Sequence, residues 1–88
     1  MVKYRLTFIV WEKIPSTFTY NGIKWNTNHI NEHIIPIDLD TVDHRENYSD
    51  FERALATKEN EVGETLIREN PNYILVSIKY FESVEDQS

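Results

Sequence analysis

The chain has no cysteine, two glycines, three prolines and one methionine in 88 residues. Without cysteine there can be no disulfide framework, thiolate zinc site or cysteine nucleophile. There is no glycine-rich phosphate loop and no G-x-S-x-G nucleophile turn, and no internal repeat or low-complexity tract. No apolar run approaches the roughly 20 residues needed to span a bilayer. The opening Met1-Val2-Lys3-Tyr4-Arg5 alternates, where a signal peptide would be continuously apolar. Basic residues are also few, nine against fifteen acids, for a net charge of −6 with histidines neutral. The 40% hydrophobic and 12% aromatic content describes one folded, cytoplasmic domain over residues 1–88 rather than a disordered acidic tail.

The charge is unevenly placed. Residues 1–37 balance to +2, whereas residues 38–69 hold ten acids against four bases. Such asymmetry bears on partners rather than on fold. The middle segment repels naked nucleic acid, because polyanion binding requires cations to neutralise phosphates. A basic protein surface is attracted.

Residues 2–12 alternate strictly, with Val2, Tyr4, Leu6, Phe8 and Val10 on one face, which predicts a half-buried strand ended by Pro15. Residues 16–27 predict a hairpin. Asn21-Gly22 supplies the two positive-φ positions of a type I′ turn, pairing Tyr20 with Ile23 and Phe18 with Trp25. Residues 33–37 read as a short strand that Pro36 confines to an edge, and 38–48 as a polar loop. Ser49 and Glu52 form a capping box ahead of a helix over 50–69. On its wheel Phe51, Leu55, Val62 and Leu66 fall within about 60°. Asn70-Pro71 stops that helix, and residues 73–82 alternate again, leaving 82–88 as a mobile tail.

These pieces predict an α+β fold: a mainly antiparallel twisted sheet of 4–5 strands with one long helix packed on one face. The other face would show Ile9, Trp11, Tyr73, Leu75 and Phe81. Two arrangements would cover it, a homodimer or segment 26–48 folded over it.

Several residue groups resemble chemical motifs without their context. His29-Ile30-Asn31-Glu32-His33 matches H-x-x-E-H, but zinc-peptidase chemistry needs both histidines on one helical face, and this segment lies between a hairpin and Pro36. Asp38, Asp40 and Asp43 begin like a calcium loop, yet the later ligand positions fall on Val42 and Ser49. Asn47-Tyr48-Ser49 is a glycosylation sequon that matters only on secretion. Carboxylates on loop and helix surfaces with no sign of a cleft are not expected to do acid–base catalysis. The expectation is a non-enzyme with no cofactor and no metal. Lys3, Arg5, Trp11, Lys24 and Trp25 leave single-stranded nucleic-acid binding as a lesser alternative.

The acids remain as the candidate binding residues: Asp38, Asp40, Asp43, Glu46, Asp50, Glu52, Glu59, Glu61 and Glu64. Asp38 and Asp40, if extended, point to one side about 6–7 Å apart, close to the spacing of phosphates along a strand. Glu52 and Glu59 flank one side of the helical core stripe, and Asp50, Glu61 and Glu64 the other. Solubility alone is the competing explanation. Ile, Asn, Lys, Glu and Tyr supply 38 of the 88 residues, a bias typical of AT-rich coding sequence. Together with small size and the charge block over Asp38–Glu69, this resembles host-takeover proteins of bacteriophages, in particular the DNA-mimic class that includes inhibitors of the nucleoid protein HU. The resemblance implies stoichiometric inhibition in the host cytoplasm, with carboxylates occupying the cationic cleft of a basic DNA-binding host protein. A small dimeric adaptor gripping through Trp11, Trp25 and the outer sheet face is the alternative.

Overall fold

In the computed structural model, which describes residues 1–84, the elements run β1 (Val2–Tyr20), β2 (Ile23–Thr41), α1 (Tyr48–Glu69) and β3 (Tyr73–Ser83). The fold is α+β. Its sheet has three antiparallel strands in the order β2-β1-β3, with α1 across one face and leaning toward β3.

The expected four or five strands become three because two pairs merge. β1 runs unbroken through Pro15, and β2 absorbs both the edge segment with Pro36 and residues 38–41 of the expected loop. The hydrogen-bond pattern explains why neither proline interrupts its strand. Lys13 donates its N–H to Asn72 O at 2.8 Å, on the β3 side of β1. Alternation then turns position 15 toward the same side, where β3 has ended and no acceptor is left without a donor. Pro36 pairs with Thr7, another odd position of β1, so its missing N–H faces the open edge of β2. A proline in a strand matters only where a neighbour needs the donor.

The turn joining these strands has Asn21 at φ 53° and Gly22 at φ 75°, and Tyr20–Ile23 and Phe18–Trp25 pair as the sequence predicts.

The core sits at one end. Tyr4, Leu6, Phe8 and Val10 of β1 are almost wholly buried, and Phe51 of α1 joins the first three in one core cluster. The Phe51 ring lies 4.8 Å from Tyr4 and 4.9 Å from Phe81. The Tyr4 hydroxyl is hydrogen-bonded to His44 Nδ1 at 2.8 Å and accepts the His44 backbone N–H at 2.9 Å, which closes the loop beneath the aromatic cluster.

Phe81 corrects the expected outer face. Register shifts between Thr7 and Phe8, and between Trp11 and Glu12, each insert an extra residue in β3. A bulge reverses the facing of everything beyond it. Phe81 therefore joins the core and Tyr80 turns outward, while Tyr73 moves to the helix side, its ring 6.0 Å from His33.

Two further boundaries shift. The helix cap is Asn47 rather than Ser49: its Oδ1 accepts the Asp50 N–H at 3.1 Å, and its Nδ2 donates to Asp50 Oδ2 at 2.9 Å. This reciprocal pair does what a capping box does. Of the expected tail, Glu82 and Ser83 are in β3 and the Val84 N–H donates to Lys3 O at 2.8 Å; its last four residues lie outside the described residues.

The molecule measures 62 × 24 × 20 Å with a radius of gyration of 18.1 Å, against about 12 Å for a compact chain of this length. The elongation comes from the hairpin. β3 reaches only Tyr73, opposite Glu12, so β1 and β2 continue alone to the turn. Eight residues from Lys13 to Tyr20 make a two-stranded arm about 25 Å long.

Candidate interaction surfaces

The nine candidate acids divide by what already holds them. Asp43 is engaged inside its own loop: the Arg45 guanidinium donates to both carboxylate oxygens, at 3.2 and 2.9 Å, and the Arg45 backbone N–H donates to Oδ1 at 2.9 Å. The Arg45 side chain, then its N–H, hold this carboxyl at about 2, well below the ordinary carboxylate range, and the same pairing raises the Arg45 pKa. Asp38 meets Arg5 at 3.3 Å across the strand pair. Asp50 is tied to the Asn47 cap and lies 3.7 Å from Arg53.

Glu59 has a structural task. Its Oε2 accepts the Ile78 backbone N–H at 2.8 Å and the Ser77 hydroxyl at 3.4 Å. Reaching from α1 to the edge strand β3, it satisfies a backbone donor beside the bulge at Lys79. Its polar role was invisible in the sequence, because only the bulge creates the need.

Asp40, Glu46, Glu52, Glu61 and Glu64 are exposed and form no ion pair with any described residue. Asp40 lies on the outer sheet face at the base, alongside Asp38 in extended strand. Glu46 follows in the loop before α1, and the three helical glutamates continue along α1. The candidate acids thus follow the body from one end to the other rather than gathering at a point.

The H-x-x-E-H residues lie in strand β2. His29 and His33 share one face, about 13 Å apart along extended chain, and Glu32 faces the other way. His33 and Glu32 have local partners instead: His33 Nε2 is 3.0 Å from Glu12 Oε1, and the Trp11 Nε1–H donates to Glu32 Oε2 at 3.2 Å. Among the described residues no group of three His, Asp or Glu side chains is disposed to hold a metal.

Two apolar surfaces stay uncovered. On the outer sheet face Trp11, Ile34 and Tyr80 are 39–53% exposed, and segment 26–48 does not fold over them because most of it is strand β2. On the arm, Phe18, Tyr20, Ile23 and Trp25 are 48–64% exposed. These four share the face that carries the helix further down, so Trp25 and Trp11 lie on opposite sides of the sheet. One grip using both tryptophans on the outer face is therefore not available.

The arm is chemically distinct from the body. Residues 13–31 contain Lys13 and Lys24 and no acid, a net +2 in a chain of −6, so the remainder holds −8.

No helix among the described residues is long and apolar enough to cross a membrane. The chain matches no family model, no curated protein and no solved structure.

Proposed function

We propose that the protein is a non-enzymatic, stoichiometric inhibitor that binds a basic DNA-binding protein through the carboxylates of its body and keeps DNA off the occupied surface. The observation that supports this reading is that Asp40 on the outer sheet face, Glu46 in the loop, and Glu52, Glu61 and Glu64 on the two flanks of α1 are exposed and form no ion pair with any described residue, on a body of charge −8. Carboxylates that are already neutralised internally, as Asp43 is, contribute little to such a field. Free ones attract a cationic surface over a Debye length of about 8–10 Å and accelerate encounter more than they strengthen the final complex.

The test is displacement of a labelled DNA duplex from bacterial nucleoid proteins, HU among them, followed by fluorescence anisotropy. Release at stoichiometric amounts, weakening as salt rises, is the expected result. A variant with Asp40→Asn, Glu46→Gln, Glu61→Gln and Glu64→Gln should release at least tenfold less at low salt while keeping its circular dichroism spectrum. No release from any basic protein tried, or undiminished release by the variant, overturns the reading.

A second reading has its own observation. The uncovered Trp11, Ile34 and Tyr80 make the outer sheet face an adaptor surface. It predicts partner binding that salt does not weaken and that Trp11→Ala abolishes.

A further inference from the structure

The arm ends the helix layer in a step. α1 covers the sheet above Tyr4, Leu6 and Phe8, and no described residue covers the same face of β1 from Lys13 to Tyr20. The step is one layer deep, about 10 Å, and about 25 Å long. Its floor holds no Lys, Arg, Asp or Glu; Ile14, Phe18, Tyr20, Ile23 and Trp25 on it are between one-third and two-thirds exposed, with Ser16, Thr27 and His29 between them. An isolated two-stranded ribbon is at best marginally stable in water, so an aromatic floor on such a ribbon calls for an occupant.

We infer that the occupant is the arm of a second copy, laid antiparallel and face to face on the first. A two-fold axis through the middle of the arm places each ribbon in the layer that the other copy's helix vacates. The tip of one arm then meets the end of the other copy's α1. One strand layer is about 10 Å from the next, so the step and its filler match in depth, and being the same segment they match in length.

Charge supports the same occupant. Lys13 and Lys24 lie opposite Ile30 and Thr19 on the outer face of the arm, so no Lys, Arg, Asp or Glu stands between the two facing floors. Antiparallel overlap brings tip to base in both copies and keeps the two −8 bodies at opposite ends. The area is sufficient. A large side chain buries about 150–250 Å² when fully covered, and these five are on average about half exposed, so covering them in both copies removes about 1,000 Å². That reaches the threshold of about 1,000 Å² for a specific interface, before polar neighbours are added. The self-complementary patch closes on itself and leaves no open end for a fibre. This arrangement is independent of the carboxylate surface, and the outer sheet face plays no part in it.

Because the chain lacks cysteine, single cysteines report the geometry directly. Ser16→Cys, mid-arm on the apolar face, should cross-link to its own counterpart with a short bismaleimide. Asn21→Cys at the tip, separated from its counterpart by about one arm length, should not. Sedimentation should give a dimer for the wild type and a monomer for Phe18→Glu with Trp25→Glu. A monomeric wild type at high micromolar concentration overturns the proposal. So does a dimer that survives the arm substitutions but is lost with Ile34→Glu on the outer face, or cross-linking at Asn21→Cys without cross-linking at Ser16→Cys.

Discussion

Between Tyr4 and Val10 the β1 strand has a neighbour on each side and a helix over one face; between Lys13 and Tyr20 it has one strand neighbour among the described residues and an exposed apolar face. In both stretches the even-numbered residues share one face, yet Tyr4 and Phe8 are at most 1% exposed and Phe18 is 50% exposed. Alternation specifies which residues share a face. Whether that face is buried depends on β3 and α1, which stop at the height of Glu12. A strand therefore carries a pattern that only part of its length uses within one copy, and the remainder is free for another purpose.

The sharpest way to break this comparison is to remove one aromatic ring from each region. Phe51→Ala empties the centre of the aromatic cluster and should cost about 3–5 kcal/mol, much of the stability of a domain this small. Phe18→Ala on the arm should cost less than about 1 kcal/mol for the isolated chain. Urea denaturation at a concentration where the chain is monomeric measures both, and similar losses at the two sites would mean that arm and body fold as one unit.

Next in size is the tie between helix and edge strand. Glu59→Ala leaves the Ile78 N–H without its acceptor and should cost about 1–3 kcal/mol, whereas Glu64→Ala, on the exposed side of the same helix, should change stability by less than about 0.5 kcal/mol. Hydrogen exchange at the Ile78 amide should accelerate in the first variant alone.

The smallest effect is acid titration. The Asp43 carboxyl is held at about 2 by Arg45, below its unfolded value of 3.8. Its contribution to folding is therefore complete above the ordinary carboxylate range and is lost as pH falls through about 2. Asp43→Asn should remove that segment of the acid dependence, read from the Arg45 amide shift. Residues 13–31 carry no carboxylate, so arm resonances should not titrate directly there.

What could be read without coordinates follows the same division. Asn21-Gly22 is a local signal, and it defined the turn and the pairing of Phe18 with Trp25, because two positive-φ residues between alternating strands leave few alternatives. The helix over 50–69 and the strand over 73–82 were legible from periodicity, to within two residues at each end. Pro15 misled, since a proline's effect depends on whether a neighbouring strand asks for its missing donor, and that is a fact of topology. Phe81 misled for a related reason: a bulge has no composition of its own, and one extra residue reverses a face. Among the acids, sequence separates neither Asp43, which its near neighbour Arg45 claims, nor Glu59, which a strand 19 residues away claims, from the five that stay free.

The length of the hairpin also sets the order in which the chain can assemble. Joining β1 to β2 closes a two-residue turn and can begin within microseconds, whereas Tyr4 must wait for Ser83, almost the whole chain away, before the third strand is in place. The second step carries a much larger loop-closure penalty and must also select a register with two bulges. Folding is thus expected to start at the arm, the region that contributes least to the finished molecule's stability, and to be limited by the arrival of β3. Until then the face bearing Leu6, Phe8 and Val10 stands open on a ribbon with two free edges, so aggregation competes with folding in that interval and is most sensitive to whatever delays the C-terminal strand.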